Sequence, residues 1–96
     1  MVRQGDLLIV KVNALPSDCI KCNHRVLAEG EATGHMHELD SGELYEKDDT
    51  LFFRVSEDQR ATLQHQEHGP ITFDSGVYKV IRQREYEPRR WSYVND

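Results

Sequence analysis

The chain has 96 residues and a formal charge of −5, with 38% hydrophobic and 30% charged residues. This length suits one domain with a modest core, and clustered, alternating apolar residues exclude a wholly disordered chain. The acidic balance argues against a general nucleic-acid binder, because phosphate neutralisation needs a basic field. The charge is uneven, however. Residues 38–58 carry eight acidic and two basic groups, and residues 79–90 carry five basic and two acidic groups. No run approaches the roughly 20 apolar residues of a membrane span. The first six residues lead straight into an apolar-rich segment, so no secretory leader is expected. The expected setting is therefore cytoplasmic, with Cys19 and Cys22 as reduced thiols.

Period-2 patterns prevail, and no long amphipathic helix pattern appears. Gly5-Asp6 marks a turn before a first strand over residues 7–12, which Leu15-Pro16-Ser17-Asp18 closes. A second strand is expected over 25–31, either ending there or continuing through His35 to Leu39. Asp40-Ser41-Gly42 turns the chain. Residues 43–46 and 50–55 flank a hairpin loop, Lys47-Asp48-Asp49. A strand over 60–66 puts Ala61, Leu63 and His65 on one face. Asp74-Ser75-Gly76 then leads into the longest strand, over 77–86. Six or seven short antiparallel strands at roughly ten-residue spacing point to an all-β barrel or sandwich. The expected organisation is one β domain over 1–87. Pro88 then opens a short C-terminal helix or tail over 88–96.

Four of the five histidines fall in two pairs, Gly34-His35-Met36-His37 and His65-Gln66-Glu67-His68-Gly69. Residues i and i+2 of a strand share a face, so His35, His37 and Leu39 group together. His65 groups with Leu63, and with Glu67 if the strand continues, while His68 falls at a turn. Antiparallel pairing of the two segments brings His35, His37, His65 and either Glu67 or His68 together. Imidazoles with a carboxylate suit Zn²⁺, Mn²⁺, Fe²⁺ or Ni²⁺, and three protein ligands leave a position open for water or substrate. The alternative is histidines that only hydrogen-bond backbone or carboxylates.

The layout is chemically similar to the cupins, small β-barrels whose metal is held by a His-x-His pair, a glutamate and a later histidine. The match is partial. Glu43 follows His37 after five intervening residues rather than three or four. The second histidine pair precedes Gly69-Pro70, whereas a cupin places its Pro-x-Gly turn before the later histidine.

Cys19-Ile20-Lys21-Cys22, with His24 beyond it, is a lone C-x₂-C. It can offer two thiolates to zinc, but a second such knuckle is missing. Residues 82–91 are rich in arginine and aromatics. There Arg84, Tyr86, Arg89, Arg90 and Trp91 are candidate contacts for a protein partner or a second copy of the chain. A solvated strand end is the competing reading.

Taken together, Arg3-Gln4-Gly5-Asp6, the segment from Leu27 to His37, the segment from His65 to Ile71, Gly76-Val77-Tyr78-Lys79-Val80 and Arg82-Gln83-Arg84-Glu85-Tyr86 resemble a family of short uncharacterised bacterial and phage proteins. The resemblance covers most of the chain. It implies the histidine segments and the arginine-tyrosine strand as the family signature. The cysteine pair lies outside that pattern, and the resemblance transfers no function.

The leading expectation is a small binding module with a divalent-metal or small-ligand site at His35, His37, His65 and His68. Glu67 is expected as ligand or as the residue that orients one. An enzyme is the second expectation, with metal-bound water as nucleophile and Glu67 as general base. The third is a metal-free adaptor or assembly subunit that docks through residues 89–93.

Overall fold

The computed structural model describes residues 1–30 and 34–82. All regular structure in them is β. The strands are β1 (Val2–Gln4), β2 (Leu7–Val12), β3 (Ile20–Lys21), β4 (Val26–Glu29), β5 (Met36–Leu39), β6 (Glu43–Lys47), β7 (Thr50–Val55), β8 (Ala61–Gln64), β9 (Ile71–Phe73) and β10 (Gly76–Arg82). They form two antiparallel sheets. One has six strands in the order β1-β2-β10-β7-β6-β3, and the other four in the order β4-β5-β8-β9. Neither sheet closes on itself, which removes the barrel and leaves two packed layers. The expected C-terminal helix over 88–96 lies outside the described residues. No helix among them is long and apolar enough to cross a membrane.

Turn chemistry sets the hairpins. Gln4 pairs with Leu7 across Gly5-Asp6, and Gly5 has φ 59°. That is the signature of a two-residue turn with glycine at its first central position. Lys47 pairs with Thr50, and Asp48 and Asp49 both take positive φ, 52° and 64°. Two left-handed residues make the turn whose twist matches the strands it joins. Strands over 7–12 and 50–55 form with the boundaries the sequence predicts.

Of the two readings of residues 25–39, the continuous strand does not form. The segment is a hairpin of β4 and β5, with Glu29 opposite Met36. Gly34, at φ 73°, donates its backbone N–H to Gly30 O at 2.9 Å. A left-handed residue there cannot continue an extended chain. Three short strands, β1, β3 and β9, escape the sequence pattern because two or three residues show no period.

The core lies between the sheets. Leu7, Ile9, Leu44, Phe53, Val55, Tyr78 and Val80 come from the larger sheet, and Leu27, Leu39, Ala61, Leu63 and Phe73 from the smaller. Phe53 stacks on Tyr78 at 4.9 Å and meets Phe73 edge-on at 5.2 Å, bridging the layers. Such aromatic contacts add to simple burial. Truncation by Phe53→Ala should cost about 3–5 kcal/mol of stability, read as a lower urea midpoint. The exposed edge substitution Ile20→Thr should stay within about 0.5 kcal/mol. Equal effects would contradict this placement of the core.

Candidate functional site

The pairing of β5 with β8 builds the site. Glu38 stands opposite Gln64, and Leu39 opposite Leu63. In an antiparallel pair each backward step on one strand is a forward step on the other. Continuing the register past the ladder therefore sets His37 against His65 and His35 against Glu67. The side chains follow it. The His37 and His65 rings lie 4.3 Å apart between centroids, and His35 Nδ1 is 3.5 Å from Glu67 Oε2. His68, in the bend after β8, stacks nearly parallel to His37 at 6.2 Å and lies 4.7 Å from His65.

These four histidines line a pocket of about 350 Å³ together with Asp6, Ala28, Glu29, Gly30, Glu67 and Arg82. His37 forms its floor and is buried, whereas the Asp6 and Glu67 side chains are each 65% exposed at the rim. Asp6 Oδ1 approaches His37 Nε2 to 3.8 Å. Gly5 sits against the rings. A Cβ at this position would lie 2.9 Å from His68 Nε2 and 3.2 Å from His37 Cε1, so a side chain here would push the His68 ring aside, and φ 59° itself favours glycine.

Gln4 fixes the floor. It is buried, and its Nε2 donates to Leu63 O at 3.0 Å and Gly69 O at 2.9 Å. An amide turned the other way would aim its oxygen at two carbonyls, so Oε1 is the atom facing His37 Nδ1 at 2.8 Å. Oε1 only accepts, which puts the imidazole proton on Nδ1 and leaves a bare lone pair on Nε2. His65 has the opposite arrangement. Its Nδ1 accepts the backbone N–H groups of Glu67 at 3.0 Å and His68 at 3.3 Å. Neutral His65 therefore carries its proton on Nε2.

Burial, then the neighbouring His65, and to a lesser degree His68, push the His37 pKa down to about 4 against the pull of Asp6. Burial, then His68 and His35, also lower His65. Each favours the neutral ring in the folded protein.

Other candidate residues sit elsewhere. Glu43, the nearest match in spacing to a cupin glutamate, belongs to the larger sheet. There Arg54, Tyr45 and Lys21 engage its carboxylate, and hydrogen bonds from Arg54 and then Tyr45 lower its pKa. Cys19 and Cys22 are free thiols. His24 Nδ1 accepts the Val26 N–H at 3.1 Å and so closes a local turn. Arg84, Tyr86, Arg89, Arg90 and Trp91 lie outside the described residues. Sequence reasoning missed Gln4, Asp6 and Arg82 as site residues, although Gln4 and Asp6 stood in the quoted Arg3-Gln4-Gly5-Asp6 phrase. Among the described residues, no group of three or more His, Cys, Asp or Glu side chains is placed to hold a metal ion.

A family model described as a domain of unknown function, DUF8820, matches residues 3–83. The chain belongs to this family. The matched span includes every residue that lines the pocket. No curated protein and no solved structure matches the chain.

Two outcomes follow from the pocket floor. Gln4→Ala leaves two carbonyls and an imidazole N–H without their partner. It should cost about 1–3 kcal/mol and release His37 from the Nδ1–H form, visible in imidazole ¹⁵N shifts; an unchanged tautomer would contradict the lock. Between the ordinary histidine value of about 6.5 and the His37 value of about 4, the unfolded chain binds more protons than the native one. Stability is then full above about pH 6.5 and falls as pH drops towards 4. Urea midpoints across that window should decline in the wild type and decline less in His37→Leu, and equal slopes would contradict the assignment.

Proposed function

We propose that the chain is a small binding module that holds one divalent transition-metal ion in the histidine pocket. One observation carries this reading: the hydrogen bond from His37 Nδ1–H to buried Gln4, which leaves Nε2 bare beside the Asp6 carboxylate. A metal-binding histidine characteristically donates its other ring N–H to a fixed acceptor, which holds the ring and its tautomer.

The donor spacing supports it. Two ligand atoms held at about 2.1 Å around a tetrahedral ion stand about 3.4 Å apart. His37 Nε2 and Asp6 Oδ1 are 3.8 Å apart, and His35 Nδ1 and Glu67 Oε2 are 3.5 Å apart. Both carboxylates are on the rim, with freedom to rotate inwards. A tetrahedral ion would draw its ligands, four at most, from these pairs and His68. His65 is the poorest ligand of the group. Ligation through its Nε2 would move the proton to Nδ1 and break two backbone hydrogen bonds. Imidazole with carboxylate selects Zn²⁺, Ni²⁺, Fe²⁺ or Mn²⁺ over Mg²⁺ and Ca²⁺.

The test is elemental analysis and calorimetric titration of the purified chain after reconstitution with each of Zn²⁺, Mn²⁺, Fe²⁺ and Ni²⁺. One equivalent should bind. His37→Ala should abolish stoichiometric binding, and Gln4→Ala should weaken it by roughly 10–100-fold. Failure to retain any of these ions would overturn the reading.

A further inference from the structure

We infer that the outer face of the larger sheet is a platform for single-stranded nucleic acid, with Phe52 and Tyr45 stacking on bases and the cations around them meeting phosphates. This inference is independent of the metal reading, because the face shares no residue with the histidine pocket.

The strand registers lay the face out. Leu7, Ile9, Leu44, Phe53, Tyr78 and Val80 point into the core, so the residues that alternate with them point away from it. Leu8 then stands beside Ile81, and Val12 beside Val77. A central row crosses the sheet from β2 to β3 as Val10, Lys79, Phe52, Tyr45 and Lys21. The side of an antiparallel sheet that faces away from its core is ordinarily polar. Here its apolar members are half-buried against one another, and the smaller sheet packs on the opposite side.

The charge on this face is equally uneven. Arg3, Lys21, Lys47, Arg54 and Lys79 lie on it with one carboxylate, Glu43. The face is net positive by four on a chain that is net negative by five. The chain total argues against a binder that meets phosphate on any side, but the fold sorts the charge and leaves one cationic side. Glu43 fixes its neighbours. It accepts from Arg54 Nε at 3.0 Å and from the Tyr45 hydroxyl at 2.9 Å, and Lys21 Nζ approaches it to 3.7 Å. The Arg54 guanidinium lies 5.9 Å from the centre of the Tyr45 ring. Among the described residues, no ion pair engages Lys47 or Lys79.

This chemistry selects the partner. A second copy meeting the face with its own would oppose like charges. A lipid surface takes up apolar groups that protrude into it. The large apolar side chains that stand out are Met1, Val2 and Ile20, at the edges of the sheet rather than on this face. Phe52 and Tyr45 lie directly opposite each other on adjacent strands, with Lys79 beyond one and Lys21 beyond the other. Rings set side by side between cations match a polymer that pairs each base with a phosphate. A duplex keeps its base faces stacked inside, so the single strand is the form that fits.

The experiment titrates a fluorescein-labelled oligothymidylate of about 12 nucleotides, within the site size of one small β domain, with the full chain across a salt series, reading anisotropy. Wild type, Phe52→Leu and Lys79→Gln are compared, with circular dichroism confirming that each is folded. Leucine keeps apolar packing on the sheet but has no ring to stack. The wild type should bind saturably and lose affinity as salt rises. Phe52→Leu should weaken binding roughly 5–100-fold, the worth of one stacked base. Lys79→Gln should lower the salt slope by about 0.7, one phosphate contact. Heparin, a polyanion without bases, should bind wild type and Phe52→Leu alike. No saturable binding of the oligonucleotide at low salt overturns the inference, as does an affinity or salt slope that the respective variant leaves unchanged. Equal loss of heparin and oligonucleotide binding in Phe52→Leu overturns it too. So does tighter binding to the duplex, or binding to phosphatidylglycerol vesicles without binding to the oligonucleotide.

Discussion

The side-chain amide of Gln4 is the constraint on which the pocket depends. It leaves the larger sheet from β1 and makes three hydrogen bonds to the smaller layer. Leu63 O and Gly69 O accept from its nitrogen, and its oxygen receives His37 Nδ1–H. One buried group thus ties the layers together, anchors the loop after β8 and selects the tautomer of the buried histidine. Every polar atom of that amide is matched, which is the condition under which a buried polar network specifies one arrangement rather than weakening the core. The glycine that follows completes the effect, because Gly5 lets the His37 and His68 rings close in where a Cβ would push the His68 ring aside.

The rest of the fold serves that placement by dividing the molecule into a dry middle and a polar end. Phe53, Phe73 and Tyr78 fill the space between the sheets. Along β8 the buried face runs Ala61, Leu63 and then the half-buried His65. Along β5 it carries His37 and Leu39. The same alternation that buries leucine deeper in the layer delivers imidazole at the edge. Desolvation at that edge keeps His37 neutral at physiological pH, which is the form a metal needs.

Sequence alone revealed this much for identifiable reasons. An apolar run between turn signals placed residues 7–12, alternation placed 50–55, and period 2 put His65 in line with Ala61 and Leu63. Antiparallel pairing of the two histidine segments was a conditional reading, and the β5–β8 ladder supplies it through Glu38 with Gln64 and Leu39 with Leu63. The register that opposes His37 to His65 was not legible, because it is set by a tertiary ladder. Nor was Gly34 as the break in the run from 25 to 39, since glycine is compatible with both a strand and a turn. Gln4 was hidden for a stronger reason. A glutamine two residues from a turn is ordinarily solvated, and its burial depends on carbonyls at positions 63 and 69 that only the folded chain brings near. The protonation states of His37 and His65 are equally products of their partners, not of their spacing.

The central claim is that a hydrogen bond from His37 to Gln4 presents a bare Nε2 as the anchor of a metal site. Anomalous diffraction at the zinc edge from crystals of Zn²⁺-reconstituted protein tests it most directly. The account predicts a single strong peak about 2.1 Å from His37 Nε2, with Gln4 still bonded to Nδ1. A peak elsewhere on the chain, or a zinc-loaded protein in which His37 is not a ligand, would contradict it.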